Sequence, residues 1–196
     1  MQKFKTEKRL NKIRKVVTQR QQSLKVVLED IHDPHNVSAI YRTCDSVGVV
    51  QATLLYVREK FPKISRVSSS SANKWVESER FQAAEECFNN LRKDGFKIYA
   101  SKLDEGAKDL YDLDLTEKVA IVMGNEHRGI SDEVVELADE IFYIPMRGMI
   151  QSLNVSVATA VTLYEAQRQR AAKGMYETSG LSDDDLEKKI DEWCAK

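Results

Sequence analysis

The most constraining feature of this 196-residue chain is the stretch Ile144-Pro-Met-Arg-Gly-Met-Ile-Gln-Ser-Leu-Asn-Val-Ser-Val-Ala-Thr-Ala-Val161. Residues 141–144 (Ile-Phe-Tyr-Ile) read as an apolar strand, and Pro145 stops it because proline has no N–H to give to a ladder. Gly148 offers a flexible or positive-φ position in the loop that follows. Ser152 and Asn154 both suit a helix N-cap, and Val155, Ala158, Val161 and Thr162 share one face of the helix expected from Ser152 to about Ala172. A strand, a loop of ligand size and a helix start also make up the plain βα turn of any α/β protein. The free N–H groups at such a start suit a carboxylate or phosphate.

The rest of the chain repeats this alternation. Residues 5–21 read as a basic helix with Leu10, Ile13, Val16 and Val17 at helical spacing. Leu24–Leu28 reads as a strand, and a polar loop around Pro34 leads to a helix Val37–Val47 capped by Asn36 and closed by Gly48. Ala52–Val57 is the next strand. Residues 58–74 look irregular, with the serine run 68–71 as a loop. Ser78 is expected to cap a helix reaching Arg92, before a strand Phe96–Ser101. After a polar connection with a turn at Leu110–Leu113 comes Val119–Met123, apolar throughout, as strands buried on both faces of a parallel sheet are. Ser131 caps a helix Asp132–Ala138, and Ser182 caps a last helix within Leu181–Cys194. Alternating strands and helices imply an α/β fold with a mainly parallel sheet. The expected organisation is one domain over 1–196, with a basic helical arm at about 1–22 and a helical tail at about 175–196.

Composition narrows the function classes. No run approaches the ~18 apolar residues of a membrane span, and the charged N-terminus lacks an apolar signal core, so a cytoplasmic protein is expected. Cys44, Cys87 and Cys194 are dispersed and odd in number, as reduced thiols are. His32, His35 and His127 have no cysteine at metal-ligand spacing, so no metal is expected. The net charge of −1 is uninformative, but its distribution is not. Residues 1–25 hold nine lysines and arginines against the single acid Glu7, while the tail is acidic. A basic arm of this kind suits a nucleic-acid backbone. It also suits a solvated helix.

Ligands of open parallel sheets bind beyond the carboxyl ends of the strands. Three small, polar loops are candidates there: Asp33–Asn36 leading to Arg42, Gly124–Gly129, and Met146–Asn154. None carries the dinucleotide fingerprint or a P-loop. Together they resemble the three motifs of the SpoU/TrmH RNA 2′-O-methyltransferases. Asn36-Val-Ser-Ala-Ile-Tyr-Arg42-Thr-Cys-Asp-Ser-Val-Gly48 resembles the first. Ile121-Val-Met-Gly-Asn-Glu126-His-Arg-Gly129 resembles the second, and Ile144 to Ala158 the third. The likeness covers about residues 8–176. The arm joined directly to the core, and Leu163–Arg170 running to Gly174-Met-Tyr176, look most like the branch that modifies guanosine-18 of tRNA.

The resemblance implies the SPOUT fold, with a deep trefoil knot in its C-terminal part, an exception to the usual connection rules. It implies a homodimer with the site near the interface, and methyl transfer from S-adenosylmethionine to a ribose 2′-hydroxyl of tRNA. Ser101, Gly124, Ile144, Ser152 and Leu153 would hold the cofactor, largely through backbone groups, which suits small residues. Arg42 would act on the hydroxyl, with Asn36, Glu126, Ser152 and Asn154 organising the site. Arginine stays protonated, with a pKa above ~12, which favours positioning of the ribose-phosphate and stabilisation of the developing alkoxide over proton removal. Asn36 and Asn154 also suit plain helix caps, and Glu126 a helix-dipole carboxylate. Arg9, Lys12, Arg20, Arg168 and Arg170 are the expected phosphate contacts, although Arg168 also suits an ion pair with Glu165. Cys44 and Arg147 depart from the usual pattern, where alanine and an apolar residue are common. The alternatives are a 2′-O-methyltransferase for ribosomal RNA or another tRNA position, a non-catalytic RNA-binding protein of this fold, and an unrelated small-ligand α/β protein.

Overall fold

Val119–Met123 is buried at every residue and lies at the centre of the sheet, as its unbroken apolar character predicts. The structure is a computed structural model that describes residues 5–62 and 71–196. In chain order its elements are α1 (Glu7–Thr18), β1 (Leu24–Glu29), α2 (Pro34–Val47), β2 (Gln51–Leu55), β3 (Glu77–Phe81), α3 (Ala84–Lys93), β4 (Lys97–Ser101), β5 (Lys108–Asp109), β6 (Val119–Met123), α4 (Asp132–Leu137), β7 (Glu140–Tyr143), α5 (Val155–Ala172) and α6 (Asp183–Ala195). Short 3-10 turns cover Ala72–Lys74 and Leu110–Asp112. Of the serine run 68–71, only Ser71 lies within the described residues.

The strands form one seven-stranded parallel sheet in the order β3-β2-β1-β6-β4-β7-β5. Period-two alternation sorts the side chains of the central pair. Leu24, Val26, Leu28, Val119, Ile121 and Met123 face one core with α2 and α5. Val27, Ala120 and Val122 face the other, with α3 and α4. Fully burying each leucine or valine contributes roughly 1.5–3 kcal/mol, which makes the β1–β6 pair the anchor of both layers. The chain leaves β1 towards β2 on one side, while β4 and β7 lie on the far side of β6. The β1–β6 boundary is therefore a topological switch point, where a crevice opens above the strand ends.

Three local expectations are corrected. Ser78 does not start a helix: Glu77–Phe81 is the edge strand β3, paired with β2. Its alternating charges, which obscure a strand in the sequence, are what a sheet edge tolerates. The helix starts at Ala84 without a side-chain cap, and Glu85 and Glu86 suit its first turn. Asn36 does not cap α2. Asp33 does, accepting the His35 N–H at 2.8 Å, with Pro34 pre-set at the first helical position. Asn154, not Ser152, caps α5.

The acidic tail has a structural place. α6 packs on α1 through Ile13, Val17, Ile190, Trp193 and Cys194, and Arg14 pairs with Glu187. No helix among the described residues is long and apolar enough to cross a membrane.

Candidate functional site

Three loops converge above the carboxyl ends of β1, β6 and β7, and one chain of hydrogen bonds ties them together. Because Asp33 takes the cap of α2, the Asn36 amide is free. Its Nδ2 donates to Glu126 Oε1 at 2.8 Å, and its Oδ1 accepts from Asn154 Nδ2 at 3.2 Å. Glu126 also accepts the N–H groups of His32 (2.8 Å) and Asp33 (3.1 Å). Asn154 accepts from Ser156 N at 2.9 Å while capping α5. Asn154 thus caps α5 and joins the hydrogen-bond chain at once. Burial pushes the Glu126 carboxyl up, but its hydrogen bonds from Asn36 and the two N–H groups outweigh this and hold it below the usual range. An ionised Glu126 is an acceptor that fixes the first loop on the second, with no proton to supply at neutral pH.

Beside this chain lies a cavity of about 860 Å³. Ser101, Gly124, Ile144, Ser152 and Leu153 all line it, as do Glu126 and Asn154. Neither Asn36 nor Arg42 does. Ser101 ends β4 and Ile144 follows β7, so strands set both rims. Leu103, Met146, Ile144 and Leu153 give apolar wall, and Lys102 and Arg128 add cationic groups.

The glycines of the second loop have a different reason from the one expected. An added Cβ at Gly124 would meet Gly129 C at 2.4 Å, Ile130 N at 2.5 Å and Gly129 O at 2.6 Å. The loop closes on itself there, so the close approach is internal. Gly129 has φ +68, whereas Gly148 is not among the positive-φ glycines and has open space around it. Gly124→Ala is expected to cost about 1–3 kcal/mol, because backbone on every side cannot swing away. Thermal unfolding reads this. A variant with the wild-type midpoint would show that the loop accommodates a methyl group.

Arg42 is exposed on α2, with no hydrogen bond or ion pair among the described residues. The expected phosphate contacts divide. Arg9 and Lys12 are exposed on α1, Arg9 lying 5.5 Å from the Trp75 ring centre. Arg168 is exposed but paired with Glu165 at 2.7 Å. Arg20 and Arg170 are corrections. Arg20 is 4% exposed, paired with Asp45, bonded to Val49 O at 3.0 Å and stacked on Trp193. Arg170 is fully buried among backbone carbonyls and polar side chains. Neither presents its guanidinium to a phosphate. Cys44 is likewise buried, its thiol pushed up to about 12 by burial, and Arg147 is exposed in the third loop.

Asn125 is a site residue that sequence reasoning passed over. Its Nδ2 donates to Asp30 O at 2.6 Å, and its Oδ1 accepts the N–H groups of His127 (2.9 Å) and Arg128 (3.1 Å). Asparagine bonding to backbone two residues on is a turn signature, legible in Gly124-Asn-Glu-His once the loop is suspected. Among the described residues, no group of three or more His, Cys, Asp or Glu is placed to hold a metal ion.

Comparisons with known proteins agree on one family. Residues 23–164 match the SpoU rRNA Methylase family. The chain is 43% identical over 191 residues to a tRNA (guanosine(18)-2'-O)-methyltransferase of Thermus thermophilus, covering 97% of this chain and 98% of that protein. It resembles the crystal structure of the Aquifex aeolicus TrmH/SpoU tRNA modifying enzyme with a TM-score of 0.89 at 41% identity, covering 96% of both chains. An AdoMet-bound rRNA methyltransferase from Sinorhizobium meliloti is 25% identical, with a TM-score of 0.67 over 79% of this chain and 59% of that one.

Proposed function

The chain belongs to the SpoU methylase family, and from that premise we propose that it methylates the ribose 2′-hydroxyl of guanosine-18 in the D-loop of tRNA, using S-adenosylmethionine. The observation that carries the reading is the hydrogen-bond chain Glu126–Asn36–Asn154 at the lip of the 860 Å³ cavity. It joins all three motif loops at a crevice of the size that small-molecule sites have.

S-adenosylmethionine, when bound, supplies an activated methyl group on a cationic sulfur. The residues present fit it. Leu103, Ile144 and Leu153 offer apolar wall for a base, while Ser101, Ser152 and the Gly124 backbone offer polar groups. The protein's remaining task is alignment of the acceptor oxygen. Arg42, exposed and unpaired among the described residues, holds the ribose-phosphate and stabilises the oxygen as its negative charge develops. A phosphate of the RNA or a water takes the proton. Asn36, Glu126, Ser152 and Asn154 keep the loops in register for this.

Arg42 lies outside the lining of its own chain's cavity. The reading therefore includes a homodimer that brings the Arg42 guanidinium of one copy towards the cavity of the other. Exposed Met149, Ile150, Leu153, Val157 and Tyr164 supply apolar surface for it. It also includes a threaded C-terminal part forming a trefoil knot. The late strands β6 and β7 each slot between strands laid down earlier, which supports that threading. Arg9, Lys12 and Arg168 would grip phosphates. The enzyme would work in the cytoplasm, with no metal.

The test is transfer of labelled methyl from S-adenosylmethionine to total tRNA, followed by mapping of 2′-O-methylated positions. Label at the D-loop guanosine is expected. Label at another tRNA position, or in ribosomal RNA, would keep the reaction and discard the position. Binding of RNA without any transfer would favour a non-catalytic RNA-binding role.

A further inference from the structure

The loop Gly124–Ser131 is held from behind as well as within. β1 ends in Glu29, and Asp30 follows it; both are only 4% exposed, and neither lines the large cavity. Glu29 Oε2 accepts the Ser131 N–H at 3.1 Å, at the far end of the loop. The Asp30 carbonyl accepts Asn125 Nδ2 at 2.6 Å, at its near end. Between these points Asn125 and Gly129 exchange backbone hydrogen bonds of 3.1 and 2.8 Å, closing the loop into one rigid piece. The Asp30 carboxylate accepts the N–H groups of Val57, Arg58 and Glu59, which fixes the anchor itself. A small polar cavity of about 180 Å³ lies on this rear side, lined by Glu29, Asp30, Arg58 and the loop.

We propose that Glu29 is a positioning residue for the methyl donor: its carboxylate sets the height of the Gly124–Ser131 loop over β1, and so the shape of the donor cavity on the opposite side. This rests on the donor-site reading above. Glu29 touches no substrate. It acts through Ser131, whose N–H follows Ile130, a lining residue of the donor cavity. A carboxylate is a stronger acceptor than a neutral carbonyl, so the charge on Glu29 matters as well as its shape. Burial raises the Glu29 carboxyl above its usual range, opposed by the hydrogen bonds of Ser131 and reinforced by the Asp30 charge. The other charges around it are Arg58 from the turn after β2, and Arg128 and Asp132 from the loop and α4. The clamp is charged above the raised value and is neutralised as pH falls through it. That happens at a higher pH than for an ordinary carboxylate.

The experiment titrates wild type and Glu29→Gln with S-adenosylhomocysteine, the demethylated donor, from pH 5 to pH 8, with thermal unfolding alongside. Glutamine keeps the shape and a neutral acceptor. The expected result is a folded variant whose Kd at pH 8 is about tenfold weaker, the scale of exchanging a charge-assisted for a neutral hydrogen bond. Wild-type affinity should approach that of the variant as pH falls, while the variant lacks this step. In turnover, the loss should appear in the donor KM and not in kcat at saturating donor. Equal affinities at every pH would overturn the inference alone. So would a loss confined to thermal stability, or one shared equally by kcat and the tRNA KM. Failure of the wild type to bind S-adenosylhomocysteine would overturn the donor-site reading and this inference with it.

Discussion

Replacing Arg170 with alanine is expected to lower the thermal midpoint by on the order of 10 °C. The guanidinium is fully buried and bonds Leu115 O at 2.9 Å, Gln21 Oε1 at 3.2 Å, Ser23 Oγ at 2.7 Å, Ser23 O at 2.9 Å and Glu117 O at 2.7 Å. These partners precede β1 and β6, so one side chain on α5 fastens the entries of the two central strands. Burial pushes it down to about 10, which still leaves it charged at neutral pH. Its acceptors are all neutral, so the desolvation cost is met by the number of hydrogen bonds. Losing these charged hydrogen bonds, each worth roughly 1.5–3 kcal/mol, costs about 3–5 kcal/mol once the relief of a buried charge is set against them, and each kcal/mol moves the midpoint by roughly 2–4 °C in a chain this long. Lysine in its place should also destabilise, since a point charge cannot serve the same fork of acceptors. Calorimetry checks both variants. A midpoint within 2 °C of wild type, combined with weakened tRNA binding, would return Arg170 to the RNA surface.

Arg42→Ala is expected to do the reverse, leaving the fold intact and removing the chemistry. Its side chain is exposed and partnerless among the described residues, so the stability change should stay within about 0.5 kcal/mol. The loss in kcat should be about 10²–10³ or more, the cost of removing one donor aimed at a developing oxyanion. Arg42→Lys keeps the charge but not the planar fork. It should remain strongly impaired, with tRNA affinity near wild type. Single-turnover methylation with prebound tRNA separates the step from binding. Near-normal turnover in the lysine variant would remove Arg42 from the transition state.

These two arginines show what a local reading of the sequence can and cannot reach. The motif around it assigns Arg42 to the site, whereas charge and position alone assign Arg170 to the RNA surface. Arginine in a helix looks solvated unless acceptors are known to surround it, and those of Arg170 lie about 55 and 147 residues away in sequence. Arg20 misled for the same reason, since Trp193 and Asp45 enclose it from distant elements. Asn36 suits a helix cap by residue type. The structure gives that cap to Asp33, which lies where the chain enters the helix. Glu77–Phe81 hid as a strand because its side chains are mostly charged, and only pairing with β2 makes it one.

Local chemistry in the chain was enough for the α/β class, the central strand, the stops at Gly48 and the caps at Ser131 and Ser182. These depend on periodicity, on proline and glycine backbone preferences, and on side chains bonding within a few residues. The three motif loops were legible for a similar reason, since each is a contiguous run with its own turn residues. Strand order, the buried fates of Arg20 and Arg170, the internal need for Gly124 and the grip of Glu29 on Ser131 were not legible. Each depends on groups far apart in the chain meeting across the sheet, and no local pattern records which distant acceptor or backbone a side chain will meet.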